Sequence, residues 1–165
     1  MNYYASLAVA ALIPLITGFI WYNPKTFGGV WLKEIGKTEE DMKNGSNMLK
    51  VFGCTYLFSF FMAFIWQFLV IHQFGAFGMV GGDIANAHPS FGEFMKDYGQ
   101  AFRTFKHGAL HGTMAGLALS LAIIGINSLF ENRSWKYIFI HVGYWTLTGM
   151  LMGGFLCQFV NFDGI

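Results

Sequence analysis

The chain has 165 residues, of which 55% are apolar, 19% aromatic and only 12% charged, with a formal net charge of +1 and a mean hydropathy of +0.46. So little net charge gives no field for nucleic acid, and the ten Lys and Arg are scattered over loops rather than gathered on one face. Little chain remains for a second domain once the apolar stretches are counted.

Residues 1–24, 51–82, 107–130 and 137–162 contain no Asp, Glu, Lys or Arg, and each stretch is at least 24 residues long. About 20 apolar residues suffice for a helix to cross a hydrocarbon core. Backbone groups in lipid must be satisfied within the segment, which leaves helix as the form. The expected fold class is all-α, an integral membrane bundle of four antiparallel transmembrane helices with a short interfacial helix between the second and third. A single membrane domain covers residues 1–165, with the lipid bilayer as its first partner.

The first span is expected at residues 3–22. It lacks a basic leader, and its apolar run continues through Phe19, Ile20 and Trp21. That exceeds a cleavable core of about 7–15 residues, so an uncleaved helix is expected. Pro14 lacks an amide donor and predicts a kink. Trp21 and Tyr22 suit the headgroup level at its end. In the following loop Thr38 reads as an N-cap with Glu39, Glu40 and Asp41 in the first turn, predicting a short helix that ends near Asn44 and Gly45.

The second span is expected at residues 48–74, with Trp66 as a packing residue, and the glycines at 75, 78, 81 and 82 predict a flexible link after it. Phe91, Phe94, Met95, Tyr98, Phe102 and Phe105 then recur at helical spacing, as in a helix lying at the membrane surface. The third span, 107–130, carries Gly108, Gly112, Gly116 and Ser120 every four residues. Such a face lets backbones approach closely, and van der Waals packing then replaces the hydrophobic drive that lipid removes. Gly149 and Gly153 on the fourth span, 135–160, offer an internal partner, while a second copy or a larger membrane complex would also fit. Cys54 and Cys157 fall at opposite depths, roughly 25 Å apart at ~1.5 Å per residue, too far to bridge.

His107 and His111 share one helix face, and His72 should reach a similar depth across the connecting loop. Three imidazoles at one level could coordinate a transition metal or relay protons, with His88, Asp83, Glu93 or Asp97 as further ligands. A haem between His111 and His141 is excluded, because their depths differ by roughly 18 Å at ~1.5 Å per residue. His141 and Asn127 share a depth near the other surface, where a polar contact would act as structural glue, and Gln67 and Gln158 read likewise. The spans hold no carboxylate or amine for proton-coupled transport, and no serine elbow, phosphate loop or Cys-x-x-Cys pair occurs. No resident cofactor is expected beyond a transition metal at the histidines, and the reading leans away from an enzyme.

Seven Lys and Arg (Lys25, Lys33, Lys37, Lys43, Lys50, Arg133 and Lys136) flank one side of the spans, against Lys96, Arg103 and Lys106 on the other. The positive-inside bias then puts both termini outside the cytoplasm.

Several of these segments together resemble a known family. They are Gly18-Phe19-Ile20-Trp21-Tyr22-Asn23-Pro24 leading to Phe27-Gly28 and Trp31, then Thr38-Glu39-Glu40-Asp41-Met42, then His111-Gly112 with Gly116. Phe130-Glu131-Asn132-Arg133-Ser134-Trp135 and Tyr144-Trp145 before Met152-Gly153 complete the set. The chain resembles the bacterial membrane family catalogued as domain of unknown function 1761. That resemblance implies four membrane helices, a bacterial cytoplasmic (inner) membrane and no established activity, so it carries over no catalytic residue. The family is expected to carry asparagine more often at position 141, and a shorter loop than residues 75–106.

The leading expectation is a non-catalytic subunit or scaffold packing through its glycine faces. The alternatives are binding or passage of a small solute at His72, Gln67, His107 and His111, or a metal-binding membrane enzyme that uses His72, His107 and His111.

Overall fold

The computed structural model describes residues 2–44 and 47–162, and the regular structure among them is helical throughout. Four helical segments are long and apolar enough to cross a membrane: Tyr3–Trp21, Met48–Val70, Phe105–Phe130 and Trp135–Phe159.

The first of these carries the kink expected from Pro14, at a local interruption of its hydrogen bonding where Ala11 and Leu12 keep right-handed helical backbone. It comprises α1, Tyr3–Ala10, and α2, Ile13–Trp21, separated by a tight turn in which the Leu12 amide bonds the Val9 carbonyl at 3.0 Å. Pro14 occupies the first turn of α2, where its missing donor is tolerated. Its carbonyl accepts the Tyr144 hydroxyl at 2.8 Å, so the break is tied to a distant helix.

The turn after α2 explains the tight Asn-Pro segment. Phe27 stacks on Trp21 with ring centroids 4.3 Å apart, and a Cβ on Gly28 would collide with the Asn23 backbone, so only glycine fits. Helix α3, Gly28–Ile35, was not visible as a separate pattern in the sequence. It is anchored by Glu34, which accepts the Ser134 hydroxyl and lies 3.6 Å from the Lys136 ammonium. The expected short helix is present as α4, Glu39–Asn44, and the Gly45 part of its expected end lies outside the described residues. Thr38 and Asp41 cap it reciprocally, with the Asp41 amide on the Thr38 hydroxyl at 3.2 Å and the Thr38 amide on the Asp41 carboxylate at 2.8 Å. These hydrogen bonds hold the Asp41 carboxyl below its ordinary range.

Helix α5, Met48–Val70, ends four residues before the expected boundary, because Ile71 adopts an extended backbone with φ −114° and ψ 105°. The chain then re-enters a helix, α6, Gln73–Met79, where the glycines had predicted a flexible link. That expectation is corrected: Gly75 and Gly78 lie inside the helix, and only Gly81 and Gly82 take the left-handed backbone at φ 65° and 77° that ends it. A 3₁₀ turn at Ile84–Asn86 leads to α7, Pro89–Tyr98, within the segment whose aromatic spacing predicted a helix.

Helices α8, Phe105–Phe130, and α9, Trp135–Phe159, form the tightest pair. A Cβ on Gly108 would overlap the backbone of Gly153, one on Gly112 the backbone of Gly149, and one on Gly116 would lie 2.8 Å from the Trp145 carbonyl. The glycine face is thus consumed inside one chain, as the internal-partner expectation had it. α9 is the central helix. Trp66 on α5 donates its indole N–H to the Gly149 carbonyl at 3.1 Å, and Trp21 on α2 donates to Ile140 at 3.0 Å. Leu7, Ala63, Trp66, Val70, Met152 and Leu156 belong to the buried cluster where α1, α5 and α9 meet. Around it, Phe58, Phe61, Ile65, Leu110, Met114 and Ile123 are exposed, as lipid-facing side chains must be. Both cysteines are free, Cys54 exposed and Cys157 buried.

A three-histidine candidate metal centre

The early end of α5 places His72 at a backbone joint rather than on a continuous helix, and this joint turns it toward the first turns of α8. There His107 and His111 sit one turn apart. The Nε2 atoms of His72 and His107 lie 2.8 Å apart, and one ring nitrogen from each of the three residues falls within 4.8 Å of the others. The ring centroids are separated by 4.9 Å (His72–His107), 5.0 Å (His72–His111) and 4.5 Å (His107–His111). Ligand nitrogens at ~2.05 Å in a tetrahedral site stand about 3.3 Å apart. The spacing of the His72 and His107 nitrogens lies near that value, and the third nitrogen stays within 4.8 Å of both. His72 is exposed while His107 and His111 are half-buried, which leaves an open approach.

The surrounding shell is built from the segment before α8. Thr104 caps that helix by accepting the His107 amide at 3.2 Å. Phe102 stacks on His107 at 5.0 Å and meets His72 edge-on at 6.0 Å. To do so it adopts φ 62°, a left-handed backbone that costs a bulky residue about 1–2 kcal/mol. Three contacts hold it there: its carbonyl accepts the Thr104 amide at 2.8 Å and the Cys157 thiol at 3.4 Å, and the neighbouring Arg103 donates to the Val160 carbonyl. The Arg103 guanidinium also lies over the Phe162 ring at 4.7 Å, and burial lowers its pKa. Gln73, only 5% exposed, fastens the start of α6 to the same segment by donating to Tyr98 at 3.1 Å and Ala101 at 2.9 Å. The sequence places Phe102 in the aromatic stripe of a surface helix and Arg103 among the flanking charges, gives neither a place beside the histidines, and does not single out Gln73. A positive φ at phenylalanine has no sequence signature, and a buried glutamine looks like any other.

Three of the four further ligands considered from the sequence take other partners. His88 turns to Ser90 at 3.0 Å, Asp83 to Asn86 at 3.0 Å, and Glu93 lies 4.0 Å from Lys96. Among the described residues, the three histidines form the group with metal-ligand geometry. Gln67 is fully buried and donates to the Tyr3 hydroxyl at 2.6 Å, in the core rather than at the histidine cluster.

The expected contact between His141 and Asn127 is also corrected. Asn127 is exposed, whereas His141 Nδ1 pairs with the Tyr22 hydroxyl at 2.8 Å. Tyr22 is the residue that the sequence assigned to the headgroup level. It packs beside Tyr144 at 5.2 Å, and burial, reinforced by Tyr144 and Tyr137, pushes its phenol pKa up.

No curated protein and no solved structure matches this chain. A family model does, over residues 5–157, and its span takes in the histidine cluster, both glycine faces and the Tyr22–His141 pair. The chain belongs to the family described as protein of unknown function, DUF1761.

Proposed function

We propose that this protein binds a transition-metal ion through His72, His107 and His111, with one coordination position left open, at the surface of a bacterial inner membrane. The observation that carries the reading is the meeting of three imidazole nitrogens within 4.8 Å, delivered by two separate stretches of chain. Neutral imidazole suits zinc, copper, nickel and iron, and three such ligands with a free fourth position are the pattern of reactive rather than purely structural sites. In this reading the four spans run up and down, α7 lies at the interface, and both termini and the metal centre face away from the cytoplasm. The seven-to-three distribution of Lys and Arg supports that orientation.

A scaffold that docks partners through glycine faces has less support. The faces of α8 and α9 that would serve it are occupied by each other.

Elemental analysis of protein purified from metal-replete cells tests the proposal. One zinc, copper, nickel or iron per chain is expected, lost in the His107→Ala/His111→Ala pair. Metal below a tenth of stoichiometry after replete growth and direct titration, on the order of a fully unoccupied site, overturns it.

A further inference from the structure

The histidine cluster borders a second feature that metal binding alone leaves unexplained. Between α6 and α7 lies a cavity of about 410 Å³ whose walls include His72, Gln73, Ala76, Phe94, Tyr98 and Phe102. His72 and Phe102 are therefore shared between the cavity and the cluster. The walls are largely apolar, with His72 and Gln73 as their chief polar groups. Gln73 is 5% exposed, and while its amide nitrogen donates to Tyr98 and Ala101, its carbonyl oxygen Oε1 is buried without a partner. A buried carbonyl lacking a donor is unfavourable, and a bound group that supplies one removes the penalty. A second cavity of about 640 Å³, on the His107 side of Phe102, has Thr104, Lys106 and Met150 in its wall and none of the buried, unpartnered polar atoms.

We infer that the α6–α7 cavity receives an amphiphilic small molecule. Its polar head combines a metal-binding oxygen with a hydrogen-bond donor, and its apolar body lies against Phe94 and Tyr98. The inference rests on the metal reading, because the oxygen takes the coordination position that three histidines leave open. The head group's donor reaches Gln73 Oε1, on the residue next to His72, once a turn of the side chain brings that buried oxygen to the cavity wall. A volume of 410 Å³ lies in the range of small-molecule sites, and a largely apolar wall with a few polar groups matches their usual make-up. An entrance between surface helices suits molecules that partition into the membrane interface.

The test uses the full chain in detergent, loaded with Co²⁺ so that its visible ligand-field bands report on the open position. Two probes are titrated, octanohydroxamic acid and its N-methyl derivative. They share the chain and the metal-binding oxygens, but the second lacks the N–H donor. The unmethylated probe is expected to bind about five- to tenfold more tightly, the worth of one hydrogen bond. Gln73→Met should abolish that preference. Ala76→Phe fills the cavity without removing a hydrogen bond, and should weaken both probes while leaving the cobalt bands of the unliganded protein unchanged. It keeps the inference testable if Gln73→Met fails to fold. Equal affinity for the two probes, or wild-type binding by Ala76→Phe, overturns the inference and leaves the metal site standing. Absence of cobalt bands overturns the metal reading, and this inference with it.

Discussion

His72 and His107 stand 35 positions apart in the chain, yet their Nε2 atoms are 2.8 Å from each other. Nothing in the local helical pattern brings them together. The contact depends on α5 stopping at Val70 and on Ile71 taking an extended backbone, which redirects the chain into α6. A ligand that binds only the folded cluster stabilises the fold by mass action, by about 4 kcal/mol at a thousandfold excess over its Kd. Zn²⁺ is therefore expected to raise the thermal midpoint of the detergent-solubilised protein, followed by tryptophan fluorescence. His111→Ala should remove the increment while leaving the metal-free midpoint nearly unchanged, since the His111 ring is half-buried and its ring contacts are to the other two histidines; an undiminished increment would sink the assignment of that ligand.

The α8–α9 contact makes a contrast within one residue type. At Gly112 an added Cβ would enter the backbone of Gly149, which has no side chain to rotate away. At Gly53 on α5 the same atom would meet nothing within 4 Å. Gly112→Ala is expected to destabilise by about 1–3 kcal/mol, as overpacking does. Gly53→Ala should be neutral or stabilising by up to about 1 kcal/mol, from helix propensity. Thermal melts of the two variants side by side check this, and equal midpoints would contradict the close approach.

The four spans, the glycine face and the shared level of the three histidines were legible in the sequence because each depends on composition or a fixed helical repeat. The joint at Ile71 was not. Residues 51–82 carry no charge, so hydropathy runs straight through the break, and the glycines that read as a link are mostly absorbed into α6. The same limit explains His141. Depth counting offered Asn127 as its partner, but depth fixes height in the membrane and not the azimuth of a side chain around its helix. Tyr22, from α2's C-terminal end, fills that place.

The Tyr22–His141 pair gives an alkaline signature. Burial raises the Tyr22 pKa above its ordinary 10.0, so at higher pH the unfolded chain releases this proton before the folded one does. The stabilisation is full below 10.0 and is lost as pH rises through the folded value. Tyr22→Phe should flatten this alkaline decline. It should also cost about 0.6–2 kcal/mol at neutral pH, the worth of an interhelical hydrogen bond in a membrane. Midpoints measured as a function of pH decide it, and an unchanged alkaline slope would remove Tyr22 as its source.

Asp41 works in the opposite direction. Its carboxyl, held below the ordinary 3.8 by the Thr38 hydroxyl and amide, contributes to the α4 cap fully above that value. The contribution fades as pH falls through the lower folded value. Amide hydrogen exchange in α4 should therefore accelerate on acidification beyond the intrinsic rate change. Asp41→Asn should show the faster exchange already at neutral pH; protection as in the wild type would mean that the cap does not hold the helix.

Phe102 couples a strained backbone to the three-histidine cluster, and the two effects separate by substitution. Glycine accepts φ 62° without the Cβ penalty, so Phe102→Gly should relieve about 1–2 kcal/mol of strain while removing the ring from His107 and His72. Phe102→Leu keeps the penalty and loses the stacking. If the ring shields the ion, both variants should release metal to a chelator faster than the wild type, by about the tenfold that 1.4 kcal/mol of lost contact represents. Only the glycine variant should recover stability in the metal-free state. Stopped-flow transfer of Zn²⁺ to a coloured chelator measures the first quantity and thermal melts the second. Wild-type release rates in both variants would show that the ring serves the α8 entry segment alone.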